Sequence, residues 1–316
     1  MSGSTGTMVV AGGSGVVGRH LLSLARSEGF TIRMLTRGDG HDAPTGAHTV
    51  RWEPAAAAAG QARALADIRD CLEGADLLVN LAGTSLADGR LNDDHKRRVL
   101  QSRLNATRAL AKAHADCGSA PGVWINASAT GYYGHRGEEE IDEQSSRGGG
   151  FLSAVCERWE AEVAQVTQAR VIVARIGLVL AADAPAWRKL LLPTRLGIGG
   201  PLGSGEQWWA WIDADELARA LLFLYREPEA SGVYNLTTPA PVRQLELARQ
   251  TGVLFHRPAL FPTPAALLRI AIGGVADELL LPSCRAMPTR LQALGFPFQR
   301  PSIERELLDL RDAEGA

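Results

Sequence analysis

Short apolar runs alternate with longer stretches of helical spacing through the first 177 residues of the chain. Apolar runs of this kind are typical of buried strands, and apolar residues three or four positions apart are typical of helices. The predicted strands are 7–11, 31–37, 49–52, 76–83, 123–128 and 171–175. Strands that alternate with helices build a parallel sheet, so the pattern predicts an α/β fold of the Rossmann type with a doubly wound sheet.

The predicted helices between these strands differ in length. The clearest are 16–25, 93–117 and 151–166, and the second of them carries Val99 and Leu110 near helical spacing. Residues 55–59 are a run of alanines, which we interpret as a linker or a frayed helix.

The pattern changes in the second half of the chain. Residues 193–211 hold five glycines, two prolines and three tryptophans without either period, which predicts a shaped loop over a ligand. Asp213 or Asp215 is the predicted N-cap of the next helix, and 233–236 is a predicted last strand. Prolines then separate short helices, so we predict a smaller, mostly helical C-terminal lobe. The first domain would comprise 1–177 and 210–239, and the lobe 178–209 and 240–316.

Composition narrows the class of protein. The chain has 316 residues, of which 46% are hydrophobic, and this suffices for a large α/β core. Its net charge of −2 argues against a nucleic-acid partner or an anionic membrane. Residues 1–6 lack the apolar stretch of a secretory signal, and the longest apolar segment, 265–276, is too short to span a bilayer. The cysteines and histidines show no metal-ligand spacing, so we predict a cytoplasmic protein that binds a small molecule and holds no structural metal.

Three glycines stand where the first predicted strand gives way to the first predicted helix. Gly12, Gly15 and Gly18 are spaced G-x-x-G-x-x-G, and strand, turn and helix form the context in which such a motif binds a dinucleotide. The first glycine permits a tight turn, the second lets the backbone approach a pyrophosphate, and the third lets the helix pack on the strand. The N–H groups of Val16 and Val17 would face the phosphates.

The second predicted strand ends in Thr36 and Arg37. An acidic residue at this place accepts hydrogen bonds from the ribose 2′-hydroxyl of NAD, whereas an arginine suits the 2′-phosphate of NADP. Gly38 and Gly40 leave room beside the guanidinium. The sequence thus predicts NADP(H) in preference to NAD(H), with a surface arginine at a strand end as the alternative.

Further motifs extend along nearly the whole chain. They are Asn-Leu-Ala-Gly at 80–83, Gln-Ser-Arg at 101–103, Ser-Ala-Thr-Gly-Tyr-Tyr-Gly at 128–134, Arg-Trp-Glu-Ala at 158–161, Gly-Gly-Pro-Leu-Gly-Ser-Gly at 199–205, Trp-Ile-Asp at 211–213 and Pro-Thr-Arg-Leu at 288–291. With these motifs the chain resembles the extended branch of the short-chain dehydrogenase/reductase superfamily, which includes sugar-nucleotide epimerases and dehydratases. More narrowly, it resembles an atypical subgroup called epimerase family proteins. The resemblance implies a Rossmann domain that holds the cofactor and a lobe that closes over the substrate.

The resemblance also implies which residues would bind the cofactor. They are Gly12, Gly15, Val16, Val17, Gly18, Thr36, Arg37, Leu81, Ala82, Gly83, Arg103 and Ser128. Arg103 would contact a phosphate or else form a surface ion pair. Members of the superfamily often form homodimers through two long helices, which here would be 93–117 and 151–166.

The catalytic pair of the superfamily is missing from this chain. Its members use a serine or threonine together with Tyr-x-x-x-Lys, in which the lysine lowers the pKa of the tyrosine and the tyrosine relays a proton. Aligning the chain on Glu160 places Leu152 and Cys156 at these two positions, and Tyr-x-x-x-Lys occurs nowhere in the sequence. The catalytic candidates that remain lie at the end of the strand 123–128, and they are Ser128, Thr130, Tyr132 and Tyr133.

The candidates leave alternatives open. Tyr132 or Tyr133 would donate a proton, or both rings would pack in the loop or line the pocket. Trp208, Trp209 and Trp211 would form the floor of a substrate pocket or a hydrophobic seam. The sequence therefore predicts either an NADP(H)-dependent oxidoreductase or epimerase-like enzyme for a small polar substrate, or a non-catalytic NADP(H)-binding regulatory or sensor protein.

Overall fold

The computed structural model describes residues 5–38 and 46–315. Seven strands in this part of the chain form one parallel sheet, and the remaining strands are short pairs. The strands are β1 (Gly6–Ala11), β2 (Phe30–Thr36), β3 (His48–Arg51), β4 (Leu77–Asn80), β5 (Val123–Ala129), β6 (Glu140–Ile141), β7 (Arg170–Ile176), β8 (Leu178–Leu180), β9 (Trp208–Trp209), β10 (Trp211–Asp213), β11 (Gly232–Leu236), β12 (Val242–Arg243) and β13 (Arg285–Ala286).

The order of strands across the main sheet is β3, β2, β1, β4, β5, β7 and β11. The chain winds outward in one direction from β1 and in the other from β4, which is the doubly wound arrangement predicted from the sequence. In such sheets the ligand crevice lies outside the carboxyl ends of the strands at the point where the order reverses. The predicted Rossmann-type α/β fold is confirmed.

Helices cover the sheet and build most of the C-terminal lobe. In the described residues they are α1 (Val16–Ser27), α2 (Pro54–Ala58), α3 (Ala62–Leu72), α4 (Asp93–Ala115), α5 (Phe151–Val163), α6 (Pro185–Arg195), α7 (Ala214–Arg226), α8 (Gln244–Leu254), α9 (Ala265–Ile272), α10 (Thr289–Ala293) and α11 (Ile303–Gly315). Short 3₁₀ helices cover Leu86–Asp88 and Thr130–Tyr133, and a π-helical turn covers Ala276–Leu280. Asp213 is the N-cap of α7, because its Oδ1 accepts a hydrogen bond from the Glu216 amide.

The main sheet is buried on both faces. Met8 and Val10 of β1 pack with α1 and α7 on one face, and Val9 packs with α3 and α4 on the other. Because successive strand residues point to opposite faces, a parallel sheet covered on both sides needs such continuous apolar runs. The continuous apolar runs in the sequence therefore agree with a sheet that helices cover on both faces.

The loop predicted over 193–211 is shorter than expected. Helix α6 extends to Arg195, and β9 already begins at Trp208, so 196–207 and Ala210 are the part of this range outside the helices and strands. The helix continues through Pro193 because Leu191 and Thr194 are buried against the lobe, and such packing outweighs local preference. Trp209 and Trp211 are also buried, which supports the hydrophobic seam rather than the pocket floor for these two rings.

The last part of the chain returns to the first domain. Leu291 of α10 and the nearby Phe296 are buried in the same core as Met8, and the ring of Phe296 lies edge-on to Phe223 of α7 at 5.3 Å. These two residues belong to the core of the sheet, although the predicted lobe contained them. The predicted domain boundaries stay a prediction.

The outer faces of α4 and α5 carry charged side chains. Arg97, Arg98 and Arg108 on α4 and Arg158 on α5 are exposed, and a groove of about 320 Å³ lies between the two helices. The homodimer expected through these helices stays a prediction. Within the described ranges, no helix has both the length and the apolar character needed to cross a membrane, and no group of three acidic, histidine or cysteine side chains is placed to hold a metal ion.

Candidate nucleotide and substrate site

The three glycines of the motif have three different surroundings. Gly12 has a φ of +85°, which side chains rarely adopt, and a Cβ there would lie 2.7 Å from the carbonyl carbon of Leu81. A Cβ on Gly18 would lie 2.5 Å from the carbonyl oxygen of Gly13, so α1 packs directly on the turn. At Gly15 a Cβ would meet the Gly12 carbonyl oxygen at 3.6 Å, which is ordinary van der Waals contact and no clash. The turn therefore combines a tight bend at Gly12, close helix packing at Gly18 and an uncrowded position at Gly15.

The N-terminus of α1 is suited to bind an anion. Its N-cap is Gly15, no side chain of the described residues caps it, and its first turn contains no acidic residue. The amides at such a helix end carry partial positive charge. The loop after β4 adjoins the turn, because the Leu81 amide donates to the carbonyl of Ala11 at 2.8 Å and the Ala82 amide to Oδ1 of Asn80 at 3.2 Å.

Arg37 lies at the carboxyl end of β2, as predicted. Its side chain is exposed and makes no ion pair or hydrogen bond with the described residues. Thr36 Oγ1 accepts a hydrogen bond from the Gly38 amide at 3.2 Å, which shapes the backbone beside it. Gly40 lies outside the described residues. An unpaired guanidinium at this edge of the sheet can bind a phosphate without first breaking an internal contact.

Arg103 supports the loop after β4. Its Nη1 donates to the carbonyl oxygens of Thr84 and Val99, both at 2.9 Å, and its guanidinium lies 5.1 Å from the centroid of the Trp159 ring. Burial lowers the pKa of this guanidinium. The expected surface ion pair is therefore wrong, because Arg103 faces carbonyls inside the protein. Its predicted phosphate contact stays a prediction.

A polar network joins the carboxyl ends of β5, β7 and β11. Ser128 Oγ donates to Glu160 at 2.6 Å, and Glu160 accepts two further bonds from Arg175 at 2.9 and 2.7 Å. Arg175 Nη1 also donates to the hydroxyl of Tyr133 at 3.0 Å, and that hydroxyl donates to Asn235 Oδ1 at 2.7 Å. Burial opposes the charge on Arg175, but the Glu160 carboxylate raises its pKa, so this ion pair persists across the physiological range.

Tyr133 packs inside the protein and does not face the crevice. Its side chain is fully buried, its hydroxyl is held by Arg175 and Asn235, and burial raises its pKa to about 12. The proton-donor role considered for Tyr133 is therefore wrong, since a donor must reach the substrate.

Tyr132 has a different environment from its neighbour. Its ring is only half-buried, and the guanidinium carbon of Arg175 lies 3.4 Å from the ring centroid. No described residue donates a hydrogen bond to its hydroxyl or accepts one from it. Thr130, at the start of the same 3₁₀ turn, is also half-buried. Tyr132 and Thr130 thus remain available to a ligand, whereas Tyr133 does not.

The positions of the missing catalytic pair belong to an apolar cluster. Leu152 and Cys156 on α5 pack with Leu86, Leu91 and Val275. Burial raises the pKa of the Cys156 thiol to about 11, so it is a neutral thiol at physiological pH. Neither residue can replace the lysine that activates the tyrosine in the superfamily.

The C-terminal lobe contacts this cluster directly. Glu278 accepts hydrogen bonds from the amides of Phe151 and Leu152, at 2.9 and 2.8 Å, and so caps the first turn of α5. Val275 from the same segment lies in the apolar cluster. The segment 275–278 of the lobe is therefore packed against the N-terminal end of α5.

Comparison with known proteins places the chain in a family. The model of the NAD dependent epimerase/dehydratase family matches residues 8–151, and a domain of unknown function, DUF1731, matches residues 263–310. An epimerase family protein of Mycobacterium bovis is 36% identical over 302 residues, which are 95% of this chain and 96% of that protein. One of Staphylococcus aureus is 32% identical over 305 residues, which are 96% and 98%. This chain is an epimerase family protein.

Solved structures agree with this assignment. The human epimerase family protein SDR39U1 (isoform 2), solved with NADPH, has a TM-score of 0.86 and 30% identity to this chain, and covers 97% of it and 99% of its own length. MoeE5, solved with UDP-glucose and NAD, has a TM-score of 0.75 at 21% identity, covers 98% and 100%, and shares the fold. The resemblance stated from the motifs is confirmed.

Several site residues of this epimerase family protein were missed by the sequence analysis. Arg175 could have been recognised as a candidate from the sequence, because a charged residue ends an otherwise apolar run at 171–175. Asn235 has a similar place at 233–236. Glu278 gives no local signal, since its partner Leu152 lies 126 residues away in the chain.

Proposed function

We propose that this protein binds NADP(H) and uses it as an oxidoreductase or epimerase-like enzyme on a small polar substrate. The uncapped N-terminus of α1, where a Cβ on Gly15 would not clash with the described protein, carries this proposal. The unpaired guanidinium of Arg37 supports NADP(H) over NAD(H). The likeness to the human protein solved with NADPH supports the same choice.

The nicotinamide ring would supply or accept a hydride, and the chain must then handle a proton. Ser128 is buried and directs its own proton to Glu160, so it does not donate to a substrate. Tyr132 is half-buried, its hydroxyl makes no hydrogen bond with the described residues, and Arg175 fixes its ring. We assign proton transfer to Tyr132 and orientation of the reacting oxygen to Thr130.

A second function is favoured by one specific observation. Leu152 and Cys156 take the positions of the usual catalytic pair and are buried among apolar side chains. This is expected of a protein that binds the cofactor without turning it over. In that case a cofactor-dependent closure of the lobe would report the cofactor state to a partner.

Two measurements separate these functions. Equilibrium titration with NADPH and NADH comes first, and we expect NADPH to bind more tightly by at least about tenfold, since Arg37 can pair with the additional phosphate. Indifference to both nucleotides would overturn the proposal.

Single-turnover oxidation of bound NADPH then follows, across a panel of small aldehydes, ketones and keto sugars. The enzyme is supported if one compound consumes NADPH faster than buffer does and Tyr132→Phe slows that reaction. Tight NADPH binding without consumption by any compound would support the non-catalytic function instead.

A further inference from the structure

Exposed apolar side chains are concentrated in one part of the molecule. Of the ten large ones found among the described residues, nine lie between residues 192 and 279, and the other is Leu308. Leu196, Val253 and Leu260 are 65, 77 and 76% exposed. Single exposed apolar residues are common on soluble proteins, whereas a concentrated group marks an interaction surface.

Six of these side chains lie on neighbouring segments. The Phe261 amide donates to the carbonyl of Gly199 at 3.1 Å, so the loop after α6 runs beside the loop after α8. The guanidinium of Arg195 lies 5.1 Å from the ring of Phe255, which joins the ends of the two helices. We call this surface the lobe face, and it consists of Leu192, Leu196, Ile198, Val253, Leu260 and Phe261.

The lobe face is positively charged, although the whole chain is not. Residues 185–205 and 244–276, which include α6, α8 and α9, contain six lysines and arginines and one acidic residue, Glu246, whereas the rest of the chain has 27 basic and 34 acidic residues. The net charge of −2 is therefore the sum of a basic region and a more acidic remainder of the chain. This surface can therefore attract an anionic membrane, although the net charge of the whole chain is negative.

Three cations of this region are available to a partner. Lys189, Arg249 and Arg257 are exposed and make no ion pair with any carboxylate among the described residues, whereas Arg269 pairs with Asp277. On α6, Lys189 stands on the same exposed side as Leu192, while Trp187 and Leu191 are buried. Apolar and cationic side chains thus share one outward face.

We propose that the lobe face docks this protein onto an anionic lipid surface. Apolar side chains of an interfacial protein enter the boundary between head groups and acyl chains, while its cations attract anionic head groups. A second copy of the chain does not fit this surface well. A two-fold dimer would place the same basic region against itself, and like charges repel.

Vesicle flotation of the full chain tests the proposal. Vesicles of phosphatidylcholine and phosphatidylglycerol in a ratio of about three to one should bind the protein, and pure phosphatidylcholine should bind it at least about tenfold more weakly. Raised salt should weaken the binding, because it screens the attraction of the cations.

Paired variants separate the apolar and the ionic contributions. We expect Leu196→Ser with Leu260→Ser, and separately Lys189→Gln with Arg257→Gln, each to weaken binding by about tenfold. The matched controls lie outside the lobe face. Leu308→Ser removes an exposed leucine of α11, and Arg97→Gln with Arg98→Gln removes two exposed cations of α4. Both controls should bind as the unaltered protein does, and thermal unfolding checks that every variant is folded.

Three outcomes would overturn the proposal. One is the absence of binding to the anionic vesicles, and another is an equal loss of binding in the controls. The third is a concentration-dependent dimer in light scattering that the Leu196→Ser, Leu260→Ser variant abolishes, since this would assign the lobe face to a second copy.

Discussion

Two helices, α1 and α5, begin near the carboxyl edge of the sheet. The first turn of α1 has no side-chain cap in the described residues, whereas the first turn of α5 is capped by a carboxylate. A Cβ on Gly15, the N-cap of α1, would meet only the Gly12 carbonyl oxygen, at 3.6 Å. The N-terminus of α5 is filled by Glu278, and a Cβ on its N-cap Gly150 would lie 3.2 Å from that carboxylate. Both ends offer unpaired amides to an anion, but at α5 the protein supplies the anion itself.

A sequence motif can predict a site that one short segment builds, but not a site that a distant segment completes. The α1 site is built within one short segment, so its spacing in the sequence reports its geometry. The α5 site depends on a segment of the lobe that is remote in the chain. A helix start therefore predicts a ligand site only when the rest of the fold leaves it open.

The largest expected effect concerns the open turn. Gly15→Ala should fold normally, because its Cβ has room, yet weaken NADPH by about a hundredfold since the methyl group occupies the approach of the pyrophosphate. Gly18→Ala is the matched control, in which the Cβ would strike the Gly13 carbonyl and lower the unfolding free energy instead. Titration and urea unfolding of both variants measure this. Equal NADPH affinity for Gly15→Ala and the parent protein would contradict it.

The next effect concerns cofactor choice at the same site. Arg37→Asp should weaken NADPH by about 2–3 kcal/mol, because a charge-assisted contact is lost and a repulsion is added. Affinity for NADH, which lacks the 2′-phosphate, should not fall. Arg63→Asp, an exposed arginine on α3, serves as the control for net charge. Unchanged NADPH affinity in Arg37→Asp would mean that this side chain never contacts the phosphate.

The two adjacent tyrosines test the region near α5. Tyr133→Phe should lower the unfolding free energy by about 1–3 kcal/mol, because Asn235 and Arg175 each lose a buried partner. Tyr132→Phe should change stability by less than about 0.5 kcal/mol, since its hydroxyl has no partner in the described residues. Urea unfolding of both variants decides, and the reverse order of stabilities would contradict the assignment.

Opening the closed helix end should have a local effect. Glu278→Ala removes the cap of α5 and should cost about 1 kcal/mol, which lets Val275 leave the apolar cluster more often. The buried thiol of Cys156 should then react with a labelling reagent several-fold faster.

A second thiol provides the internal control for that experiment. Cys71 lies in the core of the sheet, and burial raises its pKa to about 12. Faster labelling of both cysteines would indicate general unfolding and contradict a local opening. Asp277→Asn, next to Glu278 but exposed, is the matched control variant.

The smallest effect concerns the joint between α1 and the lobe. His20 Nδ1 lies 2.5 Å from Asp215 and Nε2 lies 3.3 Å from Asp183, and the Asp215 hydrogen bond raises the pKa of His20 above 6.5. Because the folded protein holds this proton more tightly, the stabilisation is complete below pH 6.5 and is lost as the pH rises through the folded pKa.

The His20→Gln variant measures this contribution. The unaltered protein should lose about 1 kcal/mol or less relative to the variant between about pH 6 and pH 9. Urea unfolding at several pH values gives the difference. An identical pH dependence in the two proteins would show that His20 is not the group that titrates.

The sequence predicted what short segments determine. The sheet strands, the glycine turn and the position of Arg37 all follow from residues close together in the chain. Helix α3 was missed although Leu65, Ile68 and Leu72 have helical spacing, because the neighbouring alanine run obscured the pattern. The burial of Tyr133 and the cap by Glu278 could not be predicted, since both depend on contacts between distant elements.

The return of the chain end to the first core has a consequence for biosynthesis. Leu291 and Phe296 complete a core whose other members, such as Met8, are synthesised long before them. The nascent sheet must therefore keep an unfilled apolar face until α10 and the residues after it have been made, which is a state prone to aggregation. Chains truncated ahead of α10 should accordingly depend on chaperones or be degraded, even though every glycine of the nucleotide turn has already been synthesised.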